Sequence, residues 1–253
     1  MGHRHVVVWS GGYDSTLLIS IVIPNMNLND TLVLASVETE LTGSPKTQRE
    51  SLARKRILGK VRTLFPDTNI ETIIIKLDVE FSDGPGPNRG LGQPIIWASS
   101  LIPWLRPGDT VYFGYIKNDD ATQLLPYVKG MFENMSYLQM YGFSNQQVSF
   151  EFPLAVCANK PQVLIWLRSW SEEIFDLCTC CESLMNDDHC SACVPCRHLK
   201  SALVTAAIED YNNANFYLTR LDKWFGIHLD LGDINRITDA VKFESNNNTL
   251  EEE

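Results

Sequence analysis

The apolar residues of the chain fall into short continuous runs and into longer stretches where they recur every three or four positions. Short apolar runs predict strands of a parallel sheet, because such strands are buried on both faces, and the longer spacing predicts amphipathic helices. Predicted strands and helices alternate along the chain, which predicts an α/β fold with a doubly wound parallel sheet. The predicted strands are 6–9, 31–37, 73–75, 110–115 and 148–152.

Helices are predicted between these strands and after the last one. A segment rich in glycine and proline, 80–93, interrupts the alternation and holds too many of both to form a helix or a strand. Because long loops in compact domains are often functional, we expect this segment to be a functional loop. The predicted helices begin near residues 15, 48, 94, 122 and 160, and the last of them continues to about Phe175.

The first strand runs directly into the hexapeptide SGGYDS, residues 10–15, and a helix follows. Gly11 and Gly12 have no Cβ, so the backbone can approach a ligand closely. The N-terminus of the following helix presents unpaired N–H groups and the positive end of the helix dipole, which suit a phosphate chain. The serines at both ends add hydroxyl donors, and Asp14 supplies a carboxylate for Mg²⁺. The turn is therefore a candidate phosphate site, and an ordinary tight turn is the alternative.

The chain has 253 residues, 44% of them hydrophobic, and a formal charge of −10. Such a chain can bury a large core, and its negative charge disfavours nucleic acid as a partner. A basic cluster within 54–62 is interpreted as a solvated helix face, and His3 and His5 are also interpreted as solvated. No apolar run approaches the roughly 20 residues needed to span a bilayer. Since the first strand follows these histidines directly, we expect no signal peptide, no membrane contact and a cytoplasmic location.

Six of the seven cysteines lie between Cys178 and Cys196. In a cytosolic protein this crowding indicates metal binding or reduced thiols rather than disulfides. Four of them have the spacing C-x8-C-x2-C-x2-C, and four sulfur ligands without an open position predict structural Zn²⁺. His189 is an alternative ligand, Cys178 and Cys180 are left as thiols or further alternatives, and Cys157 is predicted to lie in the core. The predicted zinc ligands are Cys181, Cys190, Cys193 and Cys196.

These two features suggest a division of the chain. Residues 1–176 are predicted to form a nucleotide-binding domain, 177–243 a zinc-binding helical appendage, and 244–253 a disordered acidic tail. In doubly wound folds the ligand binds at the carboxyl ends of the strands. Ser36 and Val37 end the second predicted strand, so they either contact adenine through the backbone or serve the fold alone.

Two acidic residues, Asp119 and Asp120, follow the fourth predicted strand. One interpretation is that they cap the helix that begins at Ala121, because carboxylates accept hydrogen bonds from the first N–H groups of a helix. The other is that they bind hydrogen-bond donors of a substrate. The sequence leaves both roles open.

The hexapeptide resembles the SGGxDS loop of the PP-loop ATP pyrophosphatases, which split ATP between the α and β phosphates and place AMP on a substrate oxygen. The resemblance implies a HUP-like fold of the adenine nucleotide alpha hydrolase type, with ATP and Mg²⁺ as cofactors. In that family the loop holds the leaving pyrophosphate. The residues that would hold it here are Ser10, Gly11, Gly12, Asp14, Ser15 and Thr16.

The loop and the cysteine motif together resemble QueC, the 7-cyano-7-deazaguanine synthase family, over about the first 200 residues. Pro153-Leu154 with Lys160, and Gly114 with the following aspartates, resemble further segments of that family. QueC adenylates the carboxylate of 7-carboxy-7-deazaguanine with ATP, forms an amide with ammonia, and dehydrates the amide with a second ATP. The resemblance implies catalytic roles for Asp14 and Lys160. It also implies substrate contacts by Gly114, Asp119, Asp120 and Gln93.

The chain departs from the QueC pattern in the segments that would face the acceptor. Gly92-Gln93 stands in place of an Arg-Asn pair, 121–126 replace a Tyr-Pro-Asp motif, and 38–41 replace Tyr-Gly-Gln. Residues 210–243 add an apolar-periodic segment where the family usually ends. The motifs that resemble the ATP site of QueC are kept, whereas the motifs that would face the acceptor differ from those of QueC.

Four functions compete on this sequence. The favoured one is an ATP-dependent ligase that passes a 7-carboxy-7-deazaguanine-like acyl group to an amine on a partner protein, as suggested for QueC-like proteins that accompany bacterial antiphage defence systems. The others are the ammonia-using synthase, a tRNA-modifying PP-loop enzyme, which the negative charge disfavours, and a nucleotide-binding sensor or scaffold without turnover. The oligomeric state stays open, with a homodimer as one option.

Overall fold

A computed structural model describes residues 2–38, 45–77, 93–117, 119, 122–139, 147–181 and 189–248. The chain divides into two compact units. The first unit consists of Met1–Asn159 and Trp166–Thr179, and the second of Lys160–Ile165 and Cys180–Glu253. Among the described residues, no helix is both long enough and apolar enough to cross a bilayer.

The first unit contains a sheet of five parallel strands in the order β3-β2-β1-β4-β5. This order confirms the predicted doubly wound α/β sheet, because successive strands lie on one side of β1 and then on the other. The switch between the two directions falls between β1 and β4, so their carboxyl ends border the crevice where such folds bind ligands. The strands are β1 Arg4–Val8, β2 Thr31–Glu38, β3 Asn69–Lys76, β4 Thr110–Phe113 and β5 Ser149–Glu151.

Ten α-helices occur in the described ranges, and five of them begin near the predicted positions. The predicted single helix from 160 to 175 is wrong, because it is interrupted at Ser171. The extended backbone of Ser171 lets its hydroxyl accept a hydrogen bond from the Ile174 N–H at 3.2 Å, which caps a new helix. The helices are α1 Tyr13–Val22, α2 Pro45–Leu64, α3 Gln93–Leu101, α4 Leu125–Gln139, α5 Pro153–Cys157, α6 Lys160–Trp170, α7 Glu172–Leu177, α8 Val194–Glu209, α9 Ala214–Phe225 and α10 Leu231–Asn248.

The sheet holds the core of the first unit. Val6 and Val7 of β1 are completely buried, as expected of a central parallel strand. On one face, Phe113 of β4 stacks with Phe150 of β5, and Phe132 of α4 packs against the same ring. Each such side chain contributes roughly 1.5–3 kcal/mol by its burial. The loop after β1 therefore leaves a strand that is buried at the centre of the sheet.

Polar contacts fix the amino-terminal end of β1. His5 lies inside the strand, with Nδ1 3.1 Å from the Tyr112 hydroxyl and Nε2 3.5 Å from an Asp30 carboxylate oxygen, so the interpretation of His5 as solvated is wrong. Asp30 also accepts the backbone N–H groups of Asn27 at 2.7 Å and His3 at 2.8 Å. These hydrogen bonds, that from Asn27 first, lower the pKa of Asp30 from 3.8 to about 2. The ionised carboxylate thus holds the start of the sheet.

The second unit is helical beyond the cysteines, which confirms the predicted helical appendage. Leu199 and Leu203 of α8 and Tyr217 and Leu221 of α9 are fully buried. The Tyr217 hydroxyl donates to Asp210 at 2.9 Å and so ties α9 to the end of α8. The last helix, α10, continues to Asn248, past residue 244 where the sequence placed the start of a disordered tail.

Candidate functional site

The loop of residues 10–15 leaves β1 at the carboxyl edge of the sheet and enters α1. Trp9 continues the strand, and its N–H donates to the Ala35 carbonyl at 2.7 Å. Gly12 has an extended backbone and precedes the first helical residue, Tyr13. The predicted strand-turn-helix is therefore confirmed, and the N–H groups of the first turn of α1 lie at the switch point of the sheet.

Two glycines are required by the way the chain is packed here. Gly11 has a φ of +87°, and a Cβ added to it would lie 3.1 Å from Arg54 Cγ. A Cβ on Gly114, just after β4, would lie only 2.9 Å from the backbone nitrogen of Ser15. Because a backbone atom cannot easily move away, Gly114 allows β4 to touch the loop. Its predicted substrate contact stays a prediction, whereas its contact with the loop is direct.

Serine hydroxyls hold the loop in its curve. Ser15 Oγ accepts the backbone N–H of Ser10 at 3.2 Å and lies 3.1 Å from Ser10 Oγ. Ser10 Oγ in turn accepts the N–H of Gly12 at 3.2 Å. The two hydroxyls are thus brought together at the mouth of the turn, where the sequence predicts phosphate contacts.

Further hydrogen bonds connect the residues on both sides of the loop to β2 and α1. The Trp9 indole N–H donates to Thr16 Oγ1 at 3.0 Å, and the Ser36 hydroxyl donates to the Trp9 carbonyl at 2.6 Å. Thr16 is fully buried and Ser36 nearly so. Their side chains therefore position the loop, and the predicted contacts of Thr16 with pyrophosphate and of Ser36 and Val37 with adenine stay predictions.

Arg54 is a residue that sequence reasoning misplaced. The sequence predicts that Arg54 lies on the solvated basic face of α2, yet only 6% of it is exposed. Its guanidinium is 2.5 Å from Glu38 Oε1 at the end of β2 and 3.5 Å from the Ser10 carbonyl. The signal was present, because Arg54 shares a helical face with the buried residues Ile57 and Val61. Arg54 fastens α2 to the loop and to the end of the second strand.

The remaining predicted site residues are placed as follows. Asp14 lies in the first turn of α1 and is partly buried. Asp119 takes part in a backbone turn, in which its carbonyl accepts the Thr122 N–H at 2.9 Å. Lys160 begins α6 and belongs to the second unit. Asp120 and the side chain of Gln93 lie outside the described part of the chain, so all these roles stay predictions.

The cysteine motif forms one cluster. The four sulfurs of the predicted zinc set lie within 4.8 Å of one another. Cys193 N–H donates to Cys190 Sγ at 3.3 Å, and this backbone hydrogen bond, with further ones in the cluster, lowers the pKa of Cys190 to about 6. Ser191, between them, has a φ of 61°, which turns the chain back on itself. Four converging thiols, one with a lowered pKa, fit a tetrahedral metal ion.

His189 lies beside the cluster rather than away from it. Its Nδ1 is 3.6 Å from Cys196 Sγ and 3.8 Å from Cys180 Sγ, and these three atoms form a second group within 4.8 Å. Hydrogen bonding with Cys180, together with burial, raises the pKa of Cys196. The His189 ring packs on Trp224 at 4.8 Å between ring centroids. Cys180 and His189 are therefore the immediate neighbours of a predicted metal ligand.

The two other cysteines behave differently. Cys178 is buried, and its thiol donates to the Ile174 carbonyl at 3.4 Å within the first unit. Cys157 is exposed at the end of α5, with its thiol 3.1 Å from the Pro153 carbonyl, so its prediction as a core residue is wrong. The short helix α5 turns this side chain outward.

No family model matches the chain, and no curated protein matches it. Among solved structures it is similar to the U34-tRNA thiolase NcsA from Methanococcus maripaludis with its 4Fe-4S cluster, at 15% sequence identity and a TM-score of 0.43. That match covers 90% of this chain and 75% of the thiolase chain. The parallel strand order and the geometry of the loop are the basis for the proposal that follows.

Proposed function

We propose that the chain is a QueC-like ATP-dependent ligase that adenylates the carboxylate of 7-carboxy-7-deazaguanine and passes the acyl group to a nitrogen nucleophile. The observation that supports it most is the loop after β1, in which Ser10 and Ser15 bring their hydroxyls to 3.1 Å beside the first turn of α1. Such a turn presents N–H and O–H donors to a phosphate chain without any P-loop lysine.

The chemistry requires activation because a carboxylate has no adequate leaving group at neutral pH. A carboxylate oxygen attacks the α-phosphorus of ATP, the bond from that phosphorus to the bridging oxygen breaks, and pyrophosphate leaves. The loop N–H groups and the hydroxyls of Ser10 and Ser15 stabilise the negative charge of the departing pyrophosphate. Asp14 would hold Mg²⁺, which neutralises phosphate charge when it is bound.

In the second step an amine nitrogen attacks the acyl carbon of the adenylate. The carbon–oxygen bond to AMP breaks, the nitrogen loses a proton, and an amide remains. Lys160 and Asp14 are the proposed catalytic residues. Gly114, Gln93, Asp119 and Asp120 are the proposed substrate contacts. The favoured acceptor is an amine on a partner protein in an antiphage defence setting. The altered acceptor motifs and the additional helices α9 and α10 support that choice over ammonia.

The cysteine cluster has a structural part in this proposal. Four thiolates without an open position suit an ion that holds a chain segment rather than one that binds substrate. Zn²⁺ is the proposed ion, held by Cys181, Cys190, Cys193 and Cys196. A four-thiolate set also suits iron–sulfur chemistry, so metal analysis of anaerobically and aerobically purified protein decides the identity.

The decisive experiment measures pyrophosphate release with ATP and 7-carboxy-7-deazaguanine, with intact mass spectrometry of candidate acceptor proteins. We expect Asp14→Asn to reduce turnover by at least about 100-fold while the melting temperature is kept, because the variant lacks the anionic metal ligand. The matched control is Asp67→Asn, which changes an exposed acid in a turn before β3.

Three results would contradict parts of this proposal. Undiminished pyrophosphate release by Asp14→Asn would show that the loop is not the site of the reaction. ATP binding without any pyrophosphate would make the chain a sensor or scaffold. Efficient formation of the nitrile from ammonia by this chain alone would make it an ordinary synthase.

A further inference from the structure

One face of α4 is apolar and exposed to solvent. An adjacent side of the same helix packs on the sheet through Leu125, Val128 and Phe132, all buried. The exposed face continues into the short 3₁₀ turn before α4, so it covers about four helical turns. We name it the α4 stripe; its members and exposed fractions are Leu124 58%, Tyr127 79%, Met131 39%, Met135 39% and Leu138 69%.

The positions of these residues are symmetric about Met131. Tyr127 and Met135 lie four residues before and after it, and Leu124 and Leu138 lie seven residues before and after it. At about 100° per residue, all five fall within about 40° of the direction of Met131, which makes a narrow and straight stripe. The spacing of four and three residues is that of helices that pack against each other along their length.

Such symmetry has a specific consequence for pairing. When two copies of a helix meet antiparallel across a two-fold axis, each residue faces the one at the mirrored distance from the axis. With the axis at Met131, the two Met131 side chains meet, Tyr127 faces Met135 of the other copy, and Leu124 faces Leu138. Every apolar position of the stripe then finds an apolar partner. The stripe is therefore complementary to a second copy of itself.

Gly130 supports a close approach at this surface. A glycine inside a helix costs about 1 kcal/mol relative to alanine. Among the described residues, nothing lies within 4 Å of a Cβ built on Gly130, so no neighbour in that part of the chain requires a glycine there. Gly130 follows Tyr127 by one turn, and a missing side chain beside the stripe lets a second helix come nearer.

We propose that the α4 stripe is the interface of a homodimer in which α4 pairs antiparallel with α4 of a second copy about a two-fold axis at Met131. This inference does not depend on the proposed enzymatic activity. A single helix face is smaller than the roughly 800 Å² per partner of a standard interface. The dimer should therefore dissociate in the range of about 1 to 100 micromolar.

The first test is sedimentation velocity of the full chain over that range of concentration. We expect a reversible monomer–dimer equilibrium, and Met131→Glu should raise the dissociation constant at least about tenfold because two like charges meet at the axis. Tyr127→Glu should act similarly, and both variants should keep the thermal melting of the parent since these side chains are exposed. Val156→Glu is the control, because Val156 is 82% exposed and lies outside the stripe.

Two further variants test the antiparallel register. Tyr127→Lys combined with Met135→Glu places opposite charges against each other and should dimerise better than Tyr127→Glu combined with Met135→Glu. Met131→Cys should form an intermolecular disulfide under mild oxidation, whereas Tyr137→Cys, on another side of α4, should not. A chain that stays monomeric, a dimer unaffected by Met131→Glu, or equal cross-linking at both positions would each overturn the proposal.

Discussion

The loop after β1 and the cysteine cluster are both candidate ligand sites, yet they are constructed in opposite ways. The loop is held by its own chain: buried strands lie on each side of β1, the hydroxyls of Ser10 and Ser15 close the turn, and Arg54 fastens it to α2. The cysteine ligands lie partly on short irregular segments, and the groups that converge there are the thiols themselves. Substitution of a ligand-binding side chain in the loop should change function. Substitution of a metal-ligating cysteine in the cluster should change folding.

The largest effect should follow from Cys193→Ser. Loss of one thiolate opens the four-sulfur site, and because metal binding energy is folding energy, the second unit should lose the proposed metal and most of its cooperative melting. Metal analysis and thermal melting check this, with Cys157→Ser as the matched control because Cys157 is exposed and outside the cluster. Full metal content with an unchanged melting temperature would refute the ligand set.

A smaller loss should come from the buried ion pair beside the loop. Arg54→Met leaves Glu38, whose side chain is only 11% exposed, without this partner, and breaking a buried pair typically costs about 3–5 kcal/mol. Combining it with Glu38→Gln should recover much of the loss, since the uncompensated charge is then absent. Urea unfolding of the parent, both single variants and the double variant measures the coupling. Independent, additive effects would show that the pair does not connect α2 to the loop.

Gly114→Ala should affect the function of the loop more than the stability of the fold. The new Cβ must push the backbone of Ser15 away, which we expect to cost about 1–3 kcal/mol and to lower turnover at least tenfold. Gly59→Ala serves as the comparison, because nothing described lies within 4 Å of a Cβ there, and it should be neutral or slightly stabilising. Equal behaviour of the two variants would mean that β4 does not brace the loop.

The smallest effect should be a pH dependence of folding stability that arises at the amino-terminal end of the sheet. This region holds an ordinary structural contact, with which the two candidate sites can be compared. The pKa of Asp30 is lowered from 3.8 to about 2, so its ionised form stabilises the fold above about pH 4, and this contribution is lost as the pH falls towards 2. Acid unfolding of the parent and of Asp30→Asn tests this. A variant whose stability falls as steeply as the parent between pH 4 and 2 would contradict it.

The fold could be predicted because parallel strands leave a strong signal. The strands and the loop follow from buried apolar runs and from a local sequence, SGGYDS, that needs no distant partner. The misplaced residues depended on tertiary contacts. Arg54 is charged but faces inward because Glu38 meets it there, and His5 is held by Asp30 and Tyr112 from other parts of the chain.

The sites were predictable to different degrees for the same reason. Spacing alone indicated the four cysteines, because ligands that are close in sequence can converge without long-range packing. The bracing of the loop by Gly114 could not be read from the sequence, since it requires that β4 lie next to β1. The interruption of the helix at Ser171 was readable in principle, because a serine followed directly by two acidic residues, Glu172 and Glu173, is an ordinary helix-start signal.

The buried indole of Trp9 gives the loop a natural spectroscopic reporter. Only 3% of Trp9 is exposed, and its N–H is bonded to Thr16 directly beneath the turn. The chain has six tryptophans, so ordinary fluorescence would average them, but fluorine-labelled tryptophan gives each ring its own resonance. The Trp9 signal, assigned with Trp9→Phe, would report any rearrangement of the loop when a nucleotide enters, without a label on the nucleotide and without turnover.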